Sequence, residues 1–431
     1  MIHRKKHPRR FLLLLPIFAS LLLLLAGFLL PRYFSVMLPK TLYVSVDAGS
    51  SWTLQIPFCS GTLQSDSKEV LLCSDSDIPS DQIHVSSNER VSIQATKTGS
   101  YQLSFKLFGI LPLRPIAVEA GSTRIVQVSG EVVGIYLKTS GILVVGTSEI
   151  TDAAGQIHTP AENFLQSGDY ILAVDGTPVT KKEDLSSLVR QSDGKELLLT
   201  VRRNGQEFPI RIHPCADNSG TYYLGAWVRD DSQGIGTLTY YETGGSFGAL
   251  GHGISDADTA SLLSVDGGSL YASTIRGITK GADGVPGSLS GLICYGDSYY
   301  LGEVAKNCSG GIFGTLTQPA ISSLAGTAIP VGYAQEVHTG AATILSSISG
   351  QVKEYTIDIE RIHLFDDENK SIVLRVTDPE LLETTGGIVQ GMSGSPILQD
   401  GKLIGAVTHV FVSDSTKGYG IFLESMLDAA P

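Results

Sequence analysis

At 431 residues the chain is too long for one ordinary core and suits two or three domains. Gly is abundant, 48 against 18 Pro and 2 Trp, and many Ser, Thr, Val and Ile accompany it. This composition favours turn-rich structure, so the expected fold class is mostly β. The formal net charge is −12 although five basic residues crowd the first ten positions, and so acidic a body would repel phosphates, which excludes nucleic acid as a partner.

Arg4, Lys5, Lys6, Arg9 and Arg10 precede an almost wholly apolar run, Phe11 to Leu30. Twenty such residues reach about 30 Å as a helix, the thickness of one hydrocarbon core. Residues 1–30 are therefore expected to be a cytoplasmic basic segment and a transmembrane signal anchor, with the body on the far side of the membrane. The alternative is a cleaved signal peptide. The length of the run and the lack of a small-x-small site directly after it argue for the anchor.

Residues 31–123 read as a linker and a small β domain. Alternating strands are predicted at Thr41–Val46, Val91–Ala95 and Tyr101–Leu107, and no chemistry is evident among them. Residues 124–214 change pattern. A buried-type strand, Gly141–Val145, precedes Gly168-Asp169-Tyr170-Ile171-Leu172-Ala173-Val174-Asp175-Gly176, where the Asp-Gly step favours a tight hairpin turn. Leu185, Leu188 and Val189 then mark a helix over 182–191, and two closing strands follow at 196–203 and 206–212. This stretch resembles a PDZ domain, which implies capture of a peptide along a sheet edge. Gly134, Ile135, Tyr136 and Leu137 are the expected lining of that groove.

From 215 to 431 the chain is rich in Gly and short strands, the pattern of one or two β-barrels. Two segments carry chemistry. Gly251-His252-Gly253 sets a possible general base in a loop with backbone freedom. Gly391-Met392-Ser393-Gly394-Ser395-Pro396 sets a nucleophile so that the backbone N–H groups of Gly391 and Ser393 point into one concavity, an oxyanion hole. Gly-x-Ser-Gly-x-Pro resembles the nucleophile loop of chymotrypsin-like peptidases, with Met392 where those usually carry Asp. His252 and Ser393 stand in the order of that clan, 141 residues apart, which implies a double β-barrel. Asp283, Asp297, Asp358 and Asp378 are the candidate third members.

The five cysteines form no CxxC pair and fit no zinc template, so no metal and no cofactor is expected. Cys59 and Cys73 are 14 apart, as are Cys294 and Cys308; each pair is either a disulfide or two free buried thiols.

Gly251-His252-Gly253-Ile254-Ser255-Asp256, Asp378-Pro379-Glu380-Leu381-Leu382 and the run from Gly386 to Val410 together resemble the stage IV sporulation protein B peptidases. The anchor, the PDZ-like stretch and the C-terminal domain follow that family's order. The resemblance implies a membrane-anchored serine endopeptidase of sporulation signalling, carried in the inner forespore membrane and facing the intermembrane space. It implies self-cleavage and cleavage of a regulatory partner of an intramembrane metalloprotease, which triggers processing of sigma factor K. It maps the catalytic residues to His252, Asp378 and Ser393. A non-catalytic PDZ signalling adaptor and a general envelope quality-control protease are the alternatives.

Overall fold

The computed structural model describes residues 98–282, 284–363 and 369–431. Ahead of these it describes residues 18, 25, 27–35, 38–39 and 41–46 and the backbone of 50–53, 59–64, 70–73 and 90–95. Most of the expected anchor lies outside the described residues. Among the described residues no helix is long and apolar enough to cross a membrane.

The described residues form two compact units. The first comprises those up to Arg124 with Tyr333–His338. Its largest sheet runs in the order Thr41–Ser45, Ile116–Gly121, Gly99–Leu107, Cys59–Gln64. Strict alternation puts Leu42, Val44, Leu103, Phe105, Ile116 and Val118 on one buried face. The expected strands at 41–46, 91–95 and 101–107 are all present, the last two extended at their starts to Arg90 and Gly99.

The second unit is built around one long strand, Val132–Thr147. Its first half pairs with Ala226–Tyr241 on one side and with Val265–Thr279 on the other. Tyr300–Cys308, Gly311–Leu316 and Ser246–Ala249 complete the circuit back to Ala226–Tyr241, so six strands close into a ring. Val133, Ile135, Leu137, Leu238, Phe247 and Leu270 fill it. A second barrel is closed by Gly340–Ser346, Lys353–Ile362, Ile372–Val376, Asp414–Phe422, Lys402–Phe411 and Pro396–Gln399. The double barrel expected from the His…Ser order is therefore present.

The PDZ-like module grows from the far half of the long strand. Ile142 and Leu143 pair with Tyr170–Val174, which pairs onward with Leu197–Arg203 and then Gln206–Ile212. The helix Lys182–Gln191 presses Leu185 and Val189 onto this sheet. Asp175 (φ 48°) and Gly176 (φ 78°) take the left-handed conformation that the Asp-Gly turn requires. Asp169 is fully buried and satisfied by Arg203 at 2.6 Å and by the Gln166 N–H at 2.8 Å.

Two expectations change. The chain does divide at Arg124, but Ile125–Lys138 belong to the first ring and its edge and not to the PDZ-like module. The PDZ-like module is thus inserted between two strands of the first ring instead of preceding it. Second, Gly134, Ile135, Tyr136 and Leu137 do not line a peptide groove. Each is paired on both edges, Ile135 for instance with Gly234 and with Leu270, so no peptide can add there. Cys294 and Cys308 are free thiols, as is Cys215; the side chains of Cys59 and Cys73 lie outside the described residues.

Candidate active site

Ser246–Ala249 is a strand of the first ring, and its continuation carries His252. Leu250 and Gly251 follow with φ of 69° and 70°. A left-handed Leu costs about 1–2 kcal/mol. Burial offsets that cost: the Leu250 side chain occupies the space that a Cβ on Gly236 would enter at 2.0 Å. Two left-handed residues in a row turn the chain sharply just before His252, which is half-buried. Its Nδ1 lies 2.9 Å from the Gly253 carbonyl. A carbonyl only accepts, so Nδ1 carries the proton and Nε2 keeps a free lone pair. Burial lowers the His252 pKa from the usual histidine value, opposed in part by the Gly253 carbonyl. The ring is therefore neutral at physiological pH, in the tautomer a general base needs.

The nucleophile loop is held by the first barrel. The Thr237 N–H donates to the Ser393 carbonyl at 2.9 Å, the Thr237 hydroxyl to the Gly391 carbonyl at 3.2 Å and the Thr239 hydroxyl to the Gly394 carbonyl at 2.8 Å. Gly394 (φ 94°) passes so close that a Cβ there would lie 2.2 Å from the Thr237 carbonyl and 2.6 Å from the Leu250 nitrogen. The His loop and the Ser loop are thus in direct contact. Met392 is fully buried and pins the loop with an apolar side chain. The N–H groups of Gly391 and Ser393 have no hydrogen-bond acceptor among the described residues, as the expected oxyanion hole requires.

Both functional side chains meet the end of one strand, Lys402–Phe411. The pairing register breaks between Val407 and His409, leaving Thr408 in a β-bulge. The Ser393 hydroxyl donates to the Thr408 carbonyl at 2.7 Å, and the His252 ring lies 4.8 Å, centroid to centroid, from the His409 ring. Partial burial, then the charges of His252 and Lys370, pull the His409 pKa down to about 4. Ser393 makes no hydrogen bond with His252. Transferring its proton to Nε2 requires the hydroxyl to leave Thr408 by a rotation about χ1.

Asp378 is placed differently from the role that the resemblance gives it. It is the N-cap of the helix Pro379–Thr385, accepting from the Leu381 N–H at 3.0 Å and from the Thr356 N–H at 3.3 Å. No carboxylate bonds His252 among the described residues; Asp297 opens a short 3₁₀ turn, Asp358 lies on Lys353–Ile362, and Asp283 falls outside the described residues. The helix that Asp378 caps ends at Gly386 (φ 73°) and leads through Gly387 into the nucleophile loop, so the cap sets the approach to Ser393. Sequence reasoning missed Thr237, Thr239 and Asp256. Asp256 is buried against Arg229 and accepts from the Asp258 and Thr259 N–H groups, fixing the segment just after His252.

The PDZ-like module has an open groove elsewhere, of about 400 Å³, between the helix Lys182–Gln191 and the segment Leu224–Val228. Ile150, Leu185, Val189 and Trp227 are among its walls. Ala226–Val228 pair with Val144–Thr147 on one edge only, which leaves the other edge toward the helix. Gly225 (φ 68°) turns the chain at the entrance, and the N–H groups of Leu224 and Gly225 have no acceptor among the described residues. This arrangement suits an added peptide strand whose carboxylate meets those N–H groups.

Residues 220–427 match the SpoIVB peptidase S55 family, and residues 151–203 match the PDZ domain. The serine protease HTRA1 of Xenopus tropicalis is 29% identical over 138 residues, 32% of this chain and 26% of that protein. A protein of Neisseria meningitidis, named as a zinc metalloprotease, is 36% identical over 84 residues, 19% of each chain. The chain thus spans about a quarter or less of the length of these curated relatives. Among solved structures, a PDZ domain of an SdrC-like protein from Listeria monocytogenes matches at 20% identity and a TM-score of 0.18, covering 21% of this chain and 87% of that one. Rv3671c of M. tuberculosis, a mutant in an inactive form, matches at 12% identity and a TM-score of 0.23, covering 45% of this chain and 78% of that one. The chain therefore carries, over residues 220–427, the domain of the SpoIVB peptidase S55 family, with a PDZ domain set into its first barrel.

Proposed function

We propose that the protein is a membrane-anchored endopeptidase of sporulation signalling that cuts itself and a regulatory partner of an intramembrane metalloprotease, so triggering processing of sigma factor K. In this reading the basic N-terminus and its apolar run hold the body outside the cytoplasm, in the space between the forespore membranes. The observation that carries the chemistry is the contact between the loop that holds Ser393 and the loop that holds His252, with the N–H groups of Gly391 and Ser393 and the Nε2 of His252 unengaged among the described residues. His252 takes the Ser393 proton as the hydroxyl attacks the scissile carbonyl. The two N–H groups receive the developing oxyanion, each such donor being worth about 3–4 kcal/mol in the transition state. His252 returns the proton to the leaving amine, and water then releases the acyl-enzyme. The Gly253 carbonyl holds the imidazole tautomer, and Asp378 acts through the helix it caps.

The groove beside Ala226–Val228 selects the protein to be cut, taking over the role expected of Gly134–Leu137. The test is a fluorophosphonate probe on the purified chain. It labels the wild type and spares Ser393→Ala, and self-cleavage disappears with that substitution. A non-catalytic adaptor is the second reading, favoured by the Ser393 hydroxyl resting on Thr408 instead of His252. Absence of labelling in the wild type, with partner binding intact, would establish it.

A further inference from the structure

The His252–His409 pair has no counterpart in the reaction just described. The rings lie 4.8 Å apart, centroid to centroid, at an interplanar angle of 33°. His252 has given Nδ1 to the Gly253 carbonyl and keeps Nε2 free. The His409 ring is only partly buried, and neither of its nitrogens makes a hydrogen bond among the described residues. Two imidazoles sharing a tetrahedral zinc, with Zn–N of about 2.0–2.1 Å, place their ring centres about 5 Å apart. The observed spacing is close to that value.

We propose that His252 and His409 form a reversible binding site for a divalent transition ion of the zinc class, and that its occupancy switches the peptidase off. No group of three His, Cys, Asp or Glu side chains suited to a metal exists among the described residues, so the pair offers two protein ligands and leaves the remaining positions to water. Closed structural zinc sites use four protein ligands and catalytic sites three, so this one is open and weak, an inhibitor's site and not a cofactor's. Lys370, whose Nζ lies 5.8 Å from the Tyr419 ring centre, places a positive charge near His409 and weakens the site further. Soft imidazole donors exclude magnesium and calcium, which take oxygen ligands.

Inhibition follows from electron bookkeeping. The only free lone pair on His252 is the one that would accept the Ser393 proton. A metal bonded to it leaves the serine without a base; removing the metal returns the lone pair unchanged. No bond in the chain is made or broken. The inhibition rests on His252 being the base, whereas metal binding does not.

The experiment titrates zinc chloride into the full chain by calorimetry and, in parallel, into a turnover assay. Wild type is expected to bind zinc at a His409-dependent site with on the order of micromolar affinity and to lose turnover at the same midpoint, with recovery on adding EDTA. His409→Ala, and His409→Gln as its near-isosteric control, keep zinc-free turnover and need at least about tenfold more zinc for both effects. His252→Ala loses the binding. Calorimetric binding and zinc sensitivity unchanged in both His409 variants would overturn the proposal. If wild type shows no turnover at all, the catalytic reading fails while calorimetry still decides the metal site.

Discussion

In the proposed function the nucleophile loop and the PDZ groove both handle peptide, and they are built in opposite ways. The loop around Ser393 is irregular backbone, with Gly391 and Gly394 at φ of 101° and 94°, bound by Thr237 and Thr239 of the other barrel. The groove is walled mainly by a regular helix and a strand edge, and of its lining residues only Gly225 takes a positive φ. Catalysis needs donors aimed at a charge that exists only in the transition state, so the loop is pinned before substrate arrives. Recognition needs only an unpaired edge and an apolar wall. Substitutions should therefore separate the two regions: those in the loop remove turnover on any substrate, and those in the groove act only on substrates that dock.

The largest effect tests the loop. Ser393→Ala should lower turnover on a short peptide by on the order of 10⁶-fold, because nucleophile and base act as one unit. Circular dichroism should be unchanged, since the hydroxyl makes a single hydrogen bond, to Thr408. Turnover within tenfold of wild type would break the assignment.

The pH profile comes next. His252 works only when unprotonated, and its pKa lies below the ordinary histidine value. Turnover on a short peptide should therefore stay level from neutral pH down past about 6.5 and then fall about tenfold per unit below the depressed pKa. A carboxylate bonded to the ring would raise that pKa. An acid limb above 6.5 would thus report a carboxylate partner that this arrangement lacks.

The groove side is tested by Ser186→Trp. Ser186 is exposed on the helix and faces the groove, so an indole fills the space without disturbing Leu185 or Val189 beneath it. Cleavage of a docked protein substrate should drop about tenfold, roughly 1.4 kcal/mol of lost docking, while turnover of a short peptide stays unchanged. Equal loss on both substrates would mean that the two regions are not separable.

What could be read in the sequence divides along the same line. The helix at 182–191 appears with the predicted bounds, because Leu185, Leu188 and Val189 give a clear period and the turn residues punctuate both ends. The loop glycines announce Ser393, since few other uses explain Gly, Ser and Pro at that spacing. The register of Val132–Thr147 was not legible. A strand buried on both faces reads the same whether its neighbours belong to a barrel or to a PDZ module, and Gly134–Leu137 were assigned to the wrong one. The free edge at Ala226–Val228 was hidden for the complementary reason: which edge remains unpaired is decided by partners far away in the chain. Thr237 and Thr239 carry no local signal either, since their hydroxyls are satisfied by a loop more than 150 residues on.

Asp378 shows the one signal that was present and given another meaning. Asp378-Pro379-Glu380 is a helix start: a capping carboxylate, Pro at the first helical position and an acid in the first turn. The two roles for Asp378 predict different results from two substitutions. If its carboxylate serves as a cap, Asp378→Asn keeps an acceptor for the Leu381 N–H and should leave both melting temperature and turnover near wild type. Asp378→Ala removes that acceptor and should cost about 1 kcal/mol of stability, with turnover falling only as the segment leading to Gly391 loosens. If the carboxylate instead swings to His252 during the reaction, Asn and Ala should both lose turnover by orders of magnitude, and Asn should do so with an unchanged melting temperature. The Asn variant alone separates the two, because it retains the geometry of the cap and removes the charge that would hold an imidazolium.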